Sequence, residues 1–130
     1  MNNEMRRKLI EAAKEERERS HAPATNFKVG AAVLMKNGKI YKGCNIESKG
    51  FGSLICAERD AIFEAITDGE HDFVAIAIVS ITNDETFPCG ICRQVMYEFM
   101  PEDTEIILED REGNIKVYML KDLFPHGYKL

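Results

Sequence analysis

A cysteine, an alanine and a glutamate stand in a row at Cys56, Ala57 and Glu58, and further along a C-x-x-C pair, Cys89 and Cys92, follows Pro88. Three sulfurs suit a borderline-soft metal ion. Zinc is tetrahedral, and three thiolates leave its fourth position for water, the pattern of a catalytic site and not of a closed structural one. A carboxylate that reaches the water without binding the metal can carry protons. The expectation is one Zn2+ per chain held by Cys56, Cys89 and Cys92, with Glu58 as the catalytic acid and base. Three thiolates around a divalent ion leave an excess negative charge. Two helix starts would offset part of it, and Arg59 and Arg93 are placed to offset the rest.

Each piece alone has an ordinary reading. C-x-x-C fits a redox pair or a structural zinc half-site as well as a catalytic pair. Cys56 alone fits a small buried apolar residue, and Glu58 alone a solvated helix residue. C-A-E joined to P-C-x-x-C favours the catalytic reading. Cys44 lies outside the pattern and is assigned to the core. His21, His71 and His126 lack ligand spacing.

The spacing also constrains the elements that carry these residues. Side chains two apart in mid-helix diverge by about 200°, so Cys56 and Glu58 converge only if Cys56 caps a helix and Glu58 sits in its first turn. That helix runs from near Cys56 to a stop at Gly69. A second covers roughly 90 to 99 and ends before Pro101. Ahead of them, Met5, Leu9, Ile10, Ala12 and Ala13 fall on one face of a helix between about residues 3 and 19. "FKVGAAVLMKNGKIYKGCN" reads as a hairpin turning at Asn37-Gly38. "IESKGFGSLI" reads as a loop. "FVAIAIVS" is apolar throughout, as in a strand buried on both faces. "TEIILE" and "IKVYML" are further strands, and a short helix lies near "KDLF". Strand 73–80, helix 90–99 and strand 104–109 form a right-handed parallel crossover. The fold class expected is α/β, three layers in the order α/β/α, with one mixed sheet of about five strands, hairpin first.

The 130 residues, 45% apolar and 30% charged, suit a single domain spanning 1–130. A formal net charge of −5 without a basic block argues against nucleic acid or an anionic membrane as partner. The charged N-terminal stretch does not read as a signal peptide, and no apolar run has the length of a membrane span. The expected location is cytoplasmic, where the four cysteines stay reduced.

On "NFKVGAAVL", "GCNIE", "CAER" and "PCGICRQV", in that order, the chain resembles the small cysteine-only cytidine deaminases, whose zinc signature is [H/C]-x-E…P-C-x-x-C. The resemblance spans nearly the whole sequence. It implies hydrolytic deamination of cytidine, and of deoxycytidine, in pyrimidine salvage by a homotetramer, with the fold of that family. It implies Cys56, Cys89 and Cys92 as zinc ligands and Glu58 as proton shuttle. Asn45 and Glu47 would hold the ribose hydroxyl, Phe27 would pack against the pyrimidine, and the Ala57 backbone N–H would hold the base carbonyl. The spacing agrees in part, since residues two apart on a strand face one way and an amide with a carboxylate suits a hydroxyl. The sequence departs from the family pattern at Lys49, where a small residue is usual, at Phe51 for tyrosine, and at Tyr128 for phenylalanine. It also carries "APATNF" where "PYSxF" is usual. Lys49, Phe51 and Tyr128 are therefore candidates for contacts at the sugar end or across a subunit boundary. Deamination of a modified nucleoside such as blasticidin S, and a non-catalytic structural zinc module, are the competing readings.

Overall fold

The computed structural model describes residues 1–49 and 54–129. Helix α1 spans Asn3–Arg17, and Asn2 caps it by accepting the Met5 N–H at 2.9 Å. Strands β1 (Val29–Met35) and β2 (Ile40–Cys44) form the expected hairpin, with Gly38 at φ 91° in its turn. Then come β3 (Ile46–Glu47), β4 (Leu54–Ile55), α2 (Ala57–Thr67), β5 (Phe73–Ser80), α3 (Gly90–Phe99), β6 (Glu105–Glu109), β7 (Ile115–Met119) and α4 (Leu120–Leu123). Among the described residues the main sheet has the order β2-β1-β5-β6-β7. β5 and β6 run parallel, joined through α3, and the other neighbours are antiparallel.

The mixed five-stranded sheet agrees with the expectation. The segment read as a loop after Cys44 does not. Residues 46–47 pair with 54–55 in a two-rung antiparallel ribbon, and His21 bridges to Ile46 on its other side. Two residues per strand carry too little alternation to be read from sequence.

Every residue of β1 is buried, because helices cover both sheet faces. Its side chains still alternate. Val29, Ala31, Val33 and Met35 join α2, α3 and α4 through Ala61, Ile62, Met96 and Leu120. Ala32 and Leu34 meet Leu9, Ile10 and Ala13 of α1 on the opposite face. Polar clamps fix α1 to the far strands. The Arg6 guanidinium donates twice to the Glu105 carboxylate at 2.8 and 2.9 Å, and Glu109 pairs with Lys14 at 2.8 Å and with Arg7.

Helix α2 lies unusually close to β2. A Cβ on Gly43 would stand 2.4 Å from the Ala61 nitrogen and 2.6 Å from the Ala57 oxygen. The Asp60 carboxylate also accepts the Cys44 N–H at 3.1 Å. Glycine at 43 therefore sets the height of α2 above the sheet, and with it the place of the helix start.

Candidate functional site

The starts of α2 and α3 converge. Cys56 is the N-cap of α2, with extended backbone at φ −78° and ψ 153°, and Glu58 follows in the first turn. Cys89 is the N-cap of α3, and Cys92 lies one turn inside it. Neither cap cysteine makes a side-chain capping bond. Replacing a good cap residue typically costs about 1 kcal/mol, so both helix starts forgo a stabilising device and keep a thiol free.

The three sulfurs lie within 4.8 Å of one another, and those of Cys56 and Cys89 are 3.8 Å apart. Ligands on tetrahedral zinc at about 2.3 Å would be separated by roughly 3.8 Å, so the donor type and the spacing both fit that metal. Arg59 Nη2 donates to the Cys56 sulfur at 3.4 Å. Hydrogen bonding from Cys92 lowers the Cys56 thiol to about 5 against the opposing effect of burial, with Arg59 and Cys89 assisting. The same contact with Cys56, together with burial, raises Cys92. Arg93 does not share the task expected of it. Its Nε donates to the Pro88 carbonyl at 2.7 Å and its Nη1 to the Leu123 carbonyl at 2.9 Å, so it braces the loop before Cys89 against α4.

Glu58 is only 5% exposed. Burial pushes its carboxyl up to about 7, opposed by a bond from its own backbone N–H, and the charge on Cys56 pushes in the same direction as burial. A carboxyl with that environment suits proton transfer near neutral pH.

A cleft with roughly 540 Å3 of empty space, mouth included, opens onto this group. Phe27, Asn45, Glu47, Cys56, Ala57, Glu58 and Cys89 all contribute to its lining. Seven of the candidates read from sequence thus meet in one place, and Cys92 is buried just behind them. Ala57 occupies the first helical position of α2, where a backbone N–H lacks an intrahelical acceptor. Lys49 and Tyr128 are exposed and do not contribute to this cleft, and Phe51 lies outside the described residues. Cys44 is buried in the core, as expected.

Asn45 and Glu47 are more heavily engaged than their spacing reveals. Asn45 Nδ2 donates to the Phe27 carbonyl at 2.7 Å, while its Oδ1 accepts the Val29 N–H at 2.8 Å and the Ser20 hydroxyl. Glu47 Oε1 accepts the Ala24 and Thr25 N–H groups at 3.0 and 3.2 Å, and Oε2 accepts the Thr25 hydroxyl at 2.6 Å. Sequence reading missed Leu54, Ile55, Thr86 and Phe87, which also line the cleft. The position of Phe87 ahead of Pro88 in the cysteine motif was the one available signal. Its ring is 41% exposed and meets Tyr118 edge-on at 5.1 Å.

Comparisons with known proteins agree with this geometry. Residues 3–108 match the family described as the cytidine and deoxycytidylate deaminase zinc-binding region. A cytidine deaminase of Halalkalibacterium halodurans is 43% identical over 123 residues, covering 95% of this chain and 93% of that protein. A crystal structure of cytidine deaminase from Burkholderia pseudomallei superposes with a TM-score of 0.88 at 44% identity, covering 94% of this chain and 98% of the other. A blasticidin-S deaminase of Bacillus cereus is more distant, 30% identical over 108 residues and covering 77% of this chain and 76% of its own length.

Proposed function

The chain belongs to the cytidine and deoxycytidylate deaminase zinc-binding family, and from that premise we propose that it hydrolyses cytidine, and deoxycytidine, to the uracil nucleoside and ammonia. The observation that carries the reading is the meeting of three cysteine sulfurs, two of them lining one cleft, with a buried glutamate that lines the same cleft.

Cys56, Cys89 and Cys92 would hold one zinc ion per chain. When bound, the ion supplies Lewis acidity, which lets water act as a nucleophile at neutral pH. Glu58 accepts the proton of the attacking water and passes it to N3 of the pyrimidine as C4 is attacked. It then takes the proton of the new C4 hydroxyl and delivers it to the departing amine as the C4–N bond breaks and the C4 carbonyl forms. Arg59 offsets the thiolate charge from behind. The Phe27 ring forms one wall for the base, and the Ala57 N–H at the start of α2 holds the base carbonyl. The second hydrogen of Asn45 Nδ2 donates to a ribose hydroxyl oxygen, and the Glu47 carboxylate accepts from a ribose hydroxyl. A free nucleoside carries its base unstacked, so no base-flipping cost arises.

The active assembly in this reading is a homotetramer in the cytoplasm, built from single-domain chains spanning 1–130, serving pyrimidine salvage. Lys49, Phe51 and Tyr128 would then meet the substrate of a neighbouring copy. No described helix is long and apolar enough to cross a membrane. A blasticidin-type substrate is disfavoured by the Asn45-x-Glu47 pair at the cleft. A purely structural zinc site needs a fourth protein ligand, and among the described residues the group contains three.

The test is deamination by the zinc-loaded protein of cytidine, deoxycytidine, free cytosine and blasticidin S, with metal content measured in parallel. Cytidine and deoxycytidine should be turned over well and cytosine poorly. Equal efficiency on base and nucleoside would remove the ribose role, and full zinc in a Cys89→Ser/Cys92→Ser variant would remove the ligand assignment.

A further inference from the structure

We propose that Thr25 is a positioning residue for the substrate, its hydroxyl coupling the sugar-side carboxylate of Glu47 to the aromatic wall of Phe27. The inference rests on the reading of the cleft as a nucleoside site. The Thr25 hydroxyl donates to Glu47 Oε2 at 2.6 Å, and Thr25 Oγ1 itself accepts the Phe27 N–H at 3.0 Å. The direction of the relay follows from the acid. An ionised carboxylate only accepts, so the hydroxyl donates its hydrogen bond to Glu47 and turns a lone pair to the Phe27 N–H. The Thr25 hydroxyl bond is the chief reason that the Glu47 carboxyl lies below its ordinary value, with burial opposing it.

The Phe27 residue is 41% exposed, so packing covers its ring only in part. Its backbone is held from both sides. Thr25 takes its N–H, and Asn45 Nδ2 donates to its carbonyl at 2.7 Å. The two residues at the sugar end of the cleft therefore hold the base wall, one directly and one through Thr25. Between Thr25 and Phe27, Asn26 sits at φ 56°, the left-handed region that asparagine enters more readily than other non-glycine residues. The Asn26 N–H donates to the Ala22 carbonyl at 2.8 Å, closing the turn. Removal of the hydroxyl would free both Glu47 Oε2 and the Phe27 N–H, and the turn would lose its link to the sugar-side carboxylate.

Thr25→Val removes the hydroxyl at nearly constant shape, Thr25→Ser keeps it, and Thr25→Ala serves if the valine variant misfolds. For each, the KM and kcat for cytidine, the inhibition constant of 2′,3′-dideoxycytidine, zinc content and Tm are measured. Loss of the hydroxyl should raise the cytidine KM about tenfold with kcat changed by no more than about twofold. The dideoxy compound lacks the hydroxyls that Glu47 receives but still packs on Phe27, so its inhibition constant should rise less than the cytidine KM, by about threefold, and Thr25→Ser should restore wild-type behaviour. Hydrogen exchange of the Phe27 amide should accelerate about tenfold in the valine variant. An unchanged ratio of the two nucleoside constants, whether both shift together or neither does, overturns the proposal, as does an unchanged Phe27 amide. If wild-type protein turns over no cytidine, it is the deaminase reading that fails, and the Phe27 amide still decides the relay.

Discussion

Gly43→Ala should disable the site from the far side of α2. The new methyl would lie 2.4 Å from the Ala61 nitrogen and 2.6 Å from the Ala57 oxygen, both of them backbone atoms that no rotamer change can clear, and 2.9 Å from the Asp60 Cβ. Ordinary contact begins at 3.4 Å, so α2 must lift or slide by roughly 1 Å, an overpacking that typically costs about 1–3 kcal/mol. The displaced atoms belong to the helix that begins at Cys56 and carries Glu58 in its first turn. A misplacement of about 1 Å at reacting groups can cost on the order of 10²-fold in rate. Denaturant unfolding, zinc content and cytidine turnover of the variant provide the assay. Lower stability with turnover reduced on that scale is expected, while α1 and its ion pairs on the opposite face stay intact. Wild-type stability and turnover together would refute the idea that glycine at 43 sets the height of α2.

Glu58→Gln should keep the fold and the metal and lose about 10²–10⁴-fold in kcat, the usual contribution of a general acid–base group; near-normal turnover would place the proton path elsewhere. Glu109 makes a separate pH prediction. Burial works to raise its carboxyl, but bonds from Lys14 and Arg7 outweigh burial and hold it below its ordinary value. Its contribution to stability is therefore complete above the unfolded value of about 4.3 and is lost as pH falls through the lower folded value. Glu109→Gln should cost about 1–2 kcal/mol at neutral pH, discounted for partners that are partly exposed. It should also flatten the acid limb of a Tm-against-pH curve; an unaltered limb would assign acid unfolding to other carboxylates.

The metal group was legible because its signal is local twice over. Residue type and spacing named Cys56, Glu58, Cys89 and Cys92, and the requirement that Cys56 and Glu58 converge already demanded a cap followed by a first turn. The crossover from β5 through α3 to β6 was legible for a similar reason, since an apolar run, a helix and a second run stand in sequence. What escaped depends on partners distant in the chain. Nothing near Thr25 announces that Glu47 reaches it, and nothing near Arg93 announces the Leu123 carbonyl. Charge alone sent Arg93 to the sulfurs, whereas geometry sends it to two carbonyls. Asn45 and Glu47 were read as free to meet a ligand, yet both also organise the backbone from Ala24 to Val29.

The two helix starts that carry the three sulfurs are seated by the sheet. Residues of α2 and α3 are locked in the same apolar layer as β1, β5 and β6, and the Cys56 and Cys89 sulfurs stand 3.8 Å apart. That layer leaves little chain freedom for a metal to remove. In small zinc-dependent modules the ion supplies the folding free energy, and the chain unfolds without it. Here the core supplies it, so the attraction between these sulfurs and a metal would be expressed as affinity. Metal loss and reloading would then be reversible events of an assembled protein, separate from its unfolding.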